Sequence, residues 1–272
     1  MAEPALEYVA ARRVLLDAFG ALRSHLDNLI LVGAQAVYLH TGDADLNVPL
    51  MTTDADLAIN TTDLADVPEI GAAMRKAGFT PGANPGHWIA VSEIAIDLMV
   101  VPHQANTTKT NARAARLAPH ETATARVTHG LEPVLIDNEH VTIGSLETAD
   151  SRSFSVRAAG PAALLVAKTI KIAERFNQAE SRPDRLKQKD ALDAFRLLQA
   201  IDTPVLVRGF TAHLFDEHAS DVTRTAIELL RAHGTDSAAR FPMLAAEGAV
   251  GDPAIAAAFA ALVKALLAAL PH

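Results

Sequence analysis

The chain has 272 residues, of which half are apolar and 21% charged, and it contains no cysteine. That composition excludes a disordered or fibrous chain; without cysteine there is no disulfide framework, thiolate zinc site or cysteine nucleophile. The formal charge of −8 argues against nonspecific coating of nucleic acid. The charge is uneven, however. Residues 1–150 carry 9 basic and 19 acidic side chains, residues 151–272 carry 15 and 13, and Arg152–Arg196 alone carries 10 and 5. An acidic first half suits cation binding, and a locally basic second half suits phosphate; two solvated surfaces of opposite sign are the alternative. The stretch Met1–Arg13 has two acids and no long apolar run, so it does not read as a signal peptide, and a cytoplasmic location is expected.

Residues 3–27 predict a helix, with Leu6, Val9, Val14, Leu15, Phe19 and Leu22 on one broad face. Leu29–Val32 predicts a short buried strand ending at Gly33, and Gln35–His40 a helix that packs back on it. A loop over residues 41–50 leads to a second strand, Met51–Ile59. Asp66–Ala77 reads as a helix stopped by Gly78. Trp88–Val91 and Glu93–Val101 read as strands, residues 103–130 carry no clear period, and Glu132–Ile136 and Val141–Ile143 read as short strands. Gly160-Pro161 opens a helix to about Phe176; Asn177–Pro183 reads as a loop and Asp184–Ala200 as a helix. Further helices follow, broken near Pro204, Gly234, Pro242 and Pro253. Ile255, Phe259, Leu262, Val263, Leu266, Leu267 and Leu270 form one stripe of a core-facing amphipathic helix, not a membrane span. The organisation is α/β over residues 1–150, with a mixed sheet flanked by helices, and all-helical over 151–272.

The chemistry lies on two of the strands. Thr52, Asp54 and Asp56 alternate, which places all three side chains on one face. Two carboxylates about 7 Å apart along an internal strand repel each other. Hard oxygen donors of this kind suit Mg²⁺ or Mn²⁺. Asp97 is a lone acid within the apolar run Ile94–Val101, costly there unless paired or bound to metal. Asp43, Asp45, Asp63 and Glu93 compete with it for the place of a third acid. Three acids on neighbouring strands could hold two cations for phosphoryl transfer. Upstream, Val32-Gly33-Ala34 is a strand-to-helix turn whose backbone N–H groups could receive phosphate.

This order resembles the nucleotidyltransferase superfamily with the polymerase-β-like fold. Its pattern hG[GS], Dh[DE]h, h[DE]h, where h is apolar, is met by Val32-Gly33-Ala34, Asp54-Ala55-Asp56-Leu57 and Ile96-Asp97-Leu98. Ala34 departs from the usual Gly or Ser, which removes a hydroxyl contact to phosphate and leaves the turn. In the second half, Lys168, Lys171 and Arg175 form one helical stripe, and Arg185-Leu186-Lys187-Gln188-Lys189-Asp190-Ala191-Leu192-Asp193 opens the next helix. A helix lysine followed by a KDxxD motif, after a DxD domain, is similar to the AbiEii/MenT group, which includes bacterial toxins. That group joins a Ser or Thr before the DxD, a helix lysine and a following aspartate to the carboxylates; the matching positions are Thr52, Lys168 and Asp190. The resemblance covers roughly residues 29–200.

The resemblance implies transfer of a nucleoside monophosphate from an NTP to an RNA hydroxyl, notably the tRNA 3′ end, with a neighbouring antitoxin as protein partner. Asp54, Asp56 and Asp97 would be the catalytic, metal-binding acids, Gly33 and Thr52 would contact phosphate, and Lys168 would bind triphosphate oxygens. Lys171 and Arg175 would add substrate charge, and Asp190 would position Lys168, a sugar hydroxyl or the base. The expected active site lies between the two halves. Two alternatives stand beside this: a nucleotidyltransferase acting on a small-molecule or protein hydroxyl, and a non-catalytic nucleotide-binding module with the same fold. The eleven histidines form no HExxH pattern and read as structural or surface groups. Trp88 reads as core, with stacking on a base as the alternative.

Overall fold

A computed structural model describes residues 5–42, 50–107, 109, 112–179 and 188–271. Asp43 and Asp45, most of the loop expected over 41–50, and Arg185, Leu186 and Lys187 at the start of the KDxxD segment lie outside the described residues. The first elements are α1 (Leu6–Ala21), β1 (Leu29–Val32), α2 (Gly33–Thr41), β2 (Asp54–Ile59), α3 (Ile70–Lys76), β3 (Thr80–Pro81), β4 (His87–Ile89), β5 (Ala95–Val100), β6 (Arg126–Val127), β7 (Asn138–Gly144) and β8 (Ser153–Ala159). The helices α4 (Pro161–Ala179), α5 (Gln188–Ala200), α6 (Thr203–Phe215), α7 (Ser220–His233), α8 (Arg240–Gly248) and α9 (Pro253–Ala269) follow. Two units divide the chain: residues 1–36, 49–129 and 138–159 form the first, and 37–48, 130–137 and 160–272 the second.

The first unit is built on one mixed sheet of order β3-β4-β5-β2-β1-β8-β7, with β6 also paired to β5. β1 is buried throughout and sits between antiparallel β2 and parallel β8. β2 and β5 run parallel, in register from Asp54 against Ala95 to Ala58 against Met99. Both strands show the same burial: half-buried at the two polar-face positions near their starts, fully buried beyond. Ala55, Leu57 and Ile59 are therefore core, and Asp54 and Asp56 occupy the other face. Leu15, Leu16 and Phe19 are fully buried on α1, which packs against β2, β5 and β8.

Several elements differ from expectation. The helix expected over 3–27 ends at Ala21, and Arg23–Asn28 rewinds into a 3₁₀ turn. That turn delivers Asn28 Nδ2 to the carbonyls of Asn60 and Thr62, at 2.9 and 2.8 Å. α3 starts at Ile70, later than Asp66, because Glu69 caps it by accepting from the N–H groups of Gly71 and Ala72. Glu132–Leu135 is a 3₁₀ turn, not a strand; Pro133 cannot donate to a ladder. β8 was not expected, and it carries the sheet to Ala159, past residue 150. Trp88 is core, its Nε1 donating to the Thr124 carbonyl.

In the second unit α4 packs on α5, α6 and α7, and α9 packs on α5, α6, α7 and α8. Phe195 stacks on Phe259 and Phe176 on Phe241, with ring centroids 6.3 and 6.0 Å apart. Ile255, Phe259, Val263, Leu266 and Leu270 are buried, so the α9 stripe is core as expected. Asp137 caps α4: its Oδ2 accepts from the Ala163 N–H at 2.9 Å. A Cβ at residue 160 would lie 1.9 Å from Asp137 Oδ1, so only glycine fits before Pro161. Among the described residues no helix is long and apolar enough to cross a membrane.

Candidate active site

The sheet places the predicted carboxylates on one rung. Asp56 is the register partner of Val32 on β1 and of Asp97 on β5, and Asp97 is the partner of His87 on β4. His87, Asp97 and Asp56 therefore present their side chains on one sheet face, with neighbouring strands about 4.8 Å apart. Two carboxylates about 5 Å apart repel by about 3 kcal/mol at an effective dielectric near 20, so the rung needs compensation. Part of it is on Asp97: His87 Nδ1 is 2.7 Å from Oδ1, and Arg126 Nη2 is 3.0 Å from Oδ2. Arg126 Nη2 also lies 3.2 Å from the Met99 sulfur.

Gly33 follows Val32 directly and has φ +69°. A Cβ there would stand 2.1 Å from Asp56 Oδ2 and 2.8 Å from its Cγ. The Asp56 carboxylate thus lies against the backbone at the first residue of α2, where only glycine leaves room. Asp54 is held from two sides. Thr52 lies before the strand, not within it, and its buried hydroxyl donates to Asp54 Oδ1 at 2.8 Å. Gln35 Nε2 donates to the Asp54 carbonyl at 3.3 Å, while Gln35 Oε1 accepts from buried Arg12 Nε at 2.9 Å. The Thr52 hydroxyl, expected to contact phosphate, is thus hydrogen-bonded to the Asp54 carboxylate.

The second unit assembles the other predicted residues. Lys168, Lys171 and Arg175 line one stripe of α4, and Asp190 and Asp193 stand one helical turn apart on α5. Lys168 Nζ donates to Asp190 Oδ1 at 2.8 Å and Asp193 Oδ2 at 2.6 Å. Arg175 Nη1 donates to Asp190 Oδ2, and Lys171 Nζ lies 3.4 Å from Asp190 Oδ1. Lys168, Asp190 and Asp193 are buried, whereas the Lys171 side chain is 44% exposed. Burial alone would push the Lys168 ammonium down, but the two carboxylates outweigh it and hold it above the ordinary lysine range. Burial likewise opposes the Asp190 carboxylate, and Lys168, Lys171 and Arg175 hold it below the ordinary range. Lys168 was expected to offer its charge to phosphate; its ammonium is occupied by two buried carboxylates, and Lys171 is the open cation of the stripe.

As to metal, Asp54, Asp56 and Asp97 offer hard oxygen donors from one sheet face. Among the described residues, however, no group of three or more histidine, aspartate or glutamate side chains is arranged to hold one ion. Asp54 and Asp56 fit a divalent cation by donor chemistry; Asp97 has both oxygens engaged by His87 and Arg126. His87, Arg126 and Asp193 were not singled out by the sequence as site residues. Asp193 had a signal, since it lies at i+3 from Asp190 within KDxxD. His87 sits in the short alternation before Ile89, and Arg126 in a stretch without a period.

No protein-family model matches the sequence, and no curated protein matches it.

Proposed function

We propose that this chain is a nucleotidyltransferase of the polymerase-β-like superfamily, of the AbiEii/MenT kind. It transfers a nucleoside monophosphate from an NTP to an RNA hydroxyl, at the tRNA 3′ end, and acts as the toxin of a toxin–antitoxin pair. The observation that carries this is the rung on which Asp56 and Asp97 stand side by side, with Gly33 of a strand-to-helix turn against the Asp56 carboxylate. A DxD strand, a parallel strand with a third acid in register and a glycine turn at the head of a helix together serve a triphosphate and a metal.

Asp54 and Asp56 would hold Mg²⁺ or Mn²⁺, which would supply positive charge opposite the leaving pyrophosphate. Thr52 and Gln35 fix Asp54 through its carboxylate and its backbone carbonyl. The backbone N–H groups in the first turn of α2, which Gly33 opens, would receive a phosphate oxygen. Asp97 accepts the proton of the attacking hydroxyl or shares a cation; the hydroxyl oxygen bonds to the α-phosphorus as the bond to pyrophosphate breaks. Lys171 and Arg175 supply positive charge for phosphate, and Lys168 with Asp190 and Asp193 fixes the geometry of that stripe. The chemistry is tested by incubating the protein with each labelled NTP, Mg²⁺ and total tRNA. Slowed growth on expression, relieved by Asp56→Ala, tests the toxin assignment separately.

A further inference from the structure

We infer that the groove between α1 and α3 is a binding site for a small organic phosphate, on the sheet face opposite Asp54 and Asp56. Its volume is about 980 Å³, at the upper end of the roughly 300–1,000 Å³ of small-molecule sites. Register fixes the face. Leu31 pairs with Leu57 on β2 and with Ala158 on β8, so Leu57, Ala158 and Phe154 share one side of the sheet. Phe154 there meets Phe19 of α1, with ring centroids 5.7 Å apart, and lines the groove. Asp56, next to Leu57 in the chain, presents its side chain on the other side. The groove is thus separate from the carboxylate rung, and its ligand is independent of the transfer chemistry.

Charge and shape both suit a phosphate on an apolar body. Arg23, Lys76 and Arg152 line the groove. Arg152 is held by Asp17 at 2.5 Å and by Asp150 at 2.8 Å. Arg23 and Lys76 have no carboxylate partner among the described residues, although residues 1–150 carry 9 basic and 19 acidic side chains. The Arg23 guanidinium lies 5.7 Å from the centroid of the Phe154 ring, a contact that holds it and leaves its N–H edges for an anion. Arg23 opens the 3₁₀ turn after α1, and that turn is tied to the opposite wall: His25 Nε2 is 2.8 Å from the carbonyl of Pro68, which also lines the groove. A phosphomonoester carries about 1.5 to 2 negative charges near neutral pH, which matches two uncompensated cations better than a singly charged phosphodiester does. Leu16, Gly20, Ala72 and Ala73 supply an apolar surface for the rest of the ligand. A Cβ at Gly20 would meet only Phe154 Cζ, at 3.9 Å, so the space above it is open.

The test is titration of the full chain with phenyl phosphate, without divalent metal, followed by backbone amide NMR shifts. Saturable shifts are expected at the residues lining the groove, with a Kd of about 1 mM or tighter. Arg23→Gln and Lys76→Gln should each weaken binding about tenfold, as for loss of a hydrogen bond to a charged group. Gly20→Leu leaves every charge in place and should block the groove by filling it. Asp17→Asn removes the opposing carboxylate and should tighten binding by about threefold; a misfolded variant would not produce such a gain. Phenol, the same ring without the charge, should bind at least about tenfold more weakly. Lack of saturation by about 10 mM in the wild type would overturn the inference, and so would equal affinity across these variants or equal affinity for phenol. A single-stranded RNA oligonucleotide that shifts the same resonances at lower concentration than phenyl phosphate would put nucleic acid in the groove and overturn the small-ligand assignment.

Discussion

The carboxylate of Asp56 occupies the space in which a side chain at Gly33 would begin: a Cβ there would stand 2.1 Å from Oδ2. The backbone at Gly33 adds a second requirement, since its φ is +69°. Gly33→Ala must therefore both strain the turn and displace Asp56. We expect a stability loss of about 1–3 kcal/mol and a fall in nucleotide transfer of at least about 100-fold, as for loss of a transition-state electrostatic contact. Thermal unfolding with a transfer assay checks both; unchanged turnover would show that Asp56 has no part in the chemistry.

Thr52 donates to Asp54 Oδ1 from a buried position. Thr52→Val keeps the shape and removes the donor, so folding should weaken by only about 1 kcal/mol while transfer falls about tenfold or more. Thr52→Ser restores the hydroxyl and should recover most of the rate. If Ser and Val variants turn over equally, the hydroxyl does not orient Asp54.

Lys168 and Lys171 should separate stability from activity. Lys168→Met leaves Asp190 and Asp193 buried without their shared ammonium, a change that costs about 3–5 kcal/mol and should lower Tm by roughly 10 °C. Lys171 is 44% exposed, so Lys171→Ala should alter stability by no more than about 0.5 kcal/mol. Its effect should appear as weaker NTP or RNA binding that depends on salt. Equal Tm values for the Lys168→Met variant and wild type would refute the buried cluster.

The pH dependence of stability should come from the first unit in the mildly acidic range. His120 accepts from the Ile70 N–H and bonds the Ala65 carbonyl, so it ties down the segment entering α3. Burial, and then the neighbouring His25, lower its pKa below the ordinary 6.5, against the opposing pull of Glu69 and Asp66. The unfolded chain therefore binds the proton more readily, and this contribution is full above about 6.5 and declines as pH falls below it. The α4–α5 cluster behaves otherwise. Asp190, held below 3.8, contributes down to that pH and loses its contribution only below it; Lys168, raised above 10.5, contributes fully up to that pH. Comparing Tm at pH 7.5 and 5.5, His120→Asn should show a smaller acid decline than wild type. An identical decline would exclude His120 as a source.

The rung was legible because strands alternate: Asp54-Ala55-Asp56-Leu57 and Ile96-Asp97-Leu98 declare both a core face and an acid face. Which acid stands beside which depends on strand order, and no local period encodes that. The stripe Lys168, Lys171, Arg175 was visible at helical spacing, but spacing does not reveal what the stripe faces. Asp190 and Asp193 meet it from α5, so that the Lys168 ammonium expected at phosphate is bonded to two buried carboxylates. β8 escaped notice because Ser153, Ser155 and Arg157 on its alternate positions give the segment a polar, loop-like composition. The apolar Val134-Leu135-Ile136 reads as a strand because a short apolar run has no decisive period, although Glu132–Leu135 is a 3₁₀ turn. Arg126 was out of reach, since its place beside Asp97 depends on a two-residue strand within an aperiodic stretch.

One transfer assay decides whether the chain is a nucleotidyltransferase: purified protein, each α-³²P-labelled NTP in turn, Mg²⁺ and total tRNA, with Asp56→Asn in parallel. Label is expected covalently joined to tRNA with wild type and at least one NTP, absent when the metal is chelated, and at least about 100-fold less with Asp56→Asn. Label on protein or a small molecule would move the acceptor from RNA to another hydroxyl. No label with any NTP, or equal label with Asp56→Asn, would contradict a nucleotidyltransferase centred on Asp54 and Asp56.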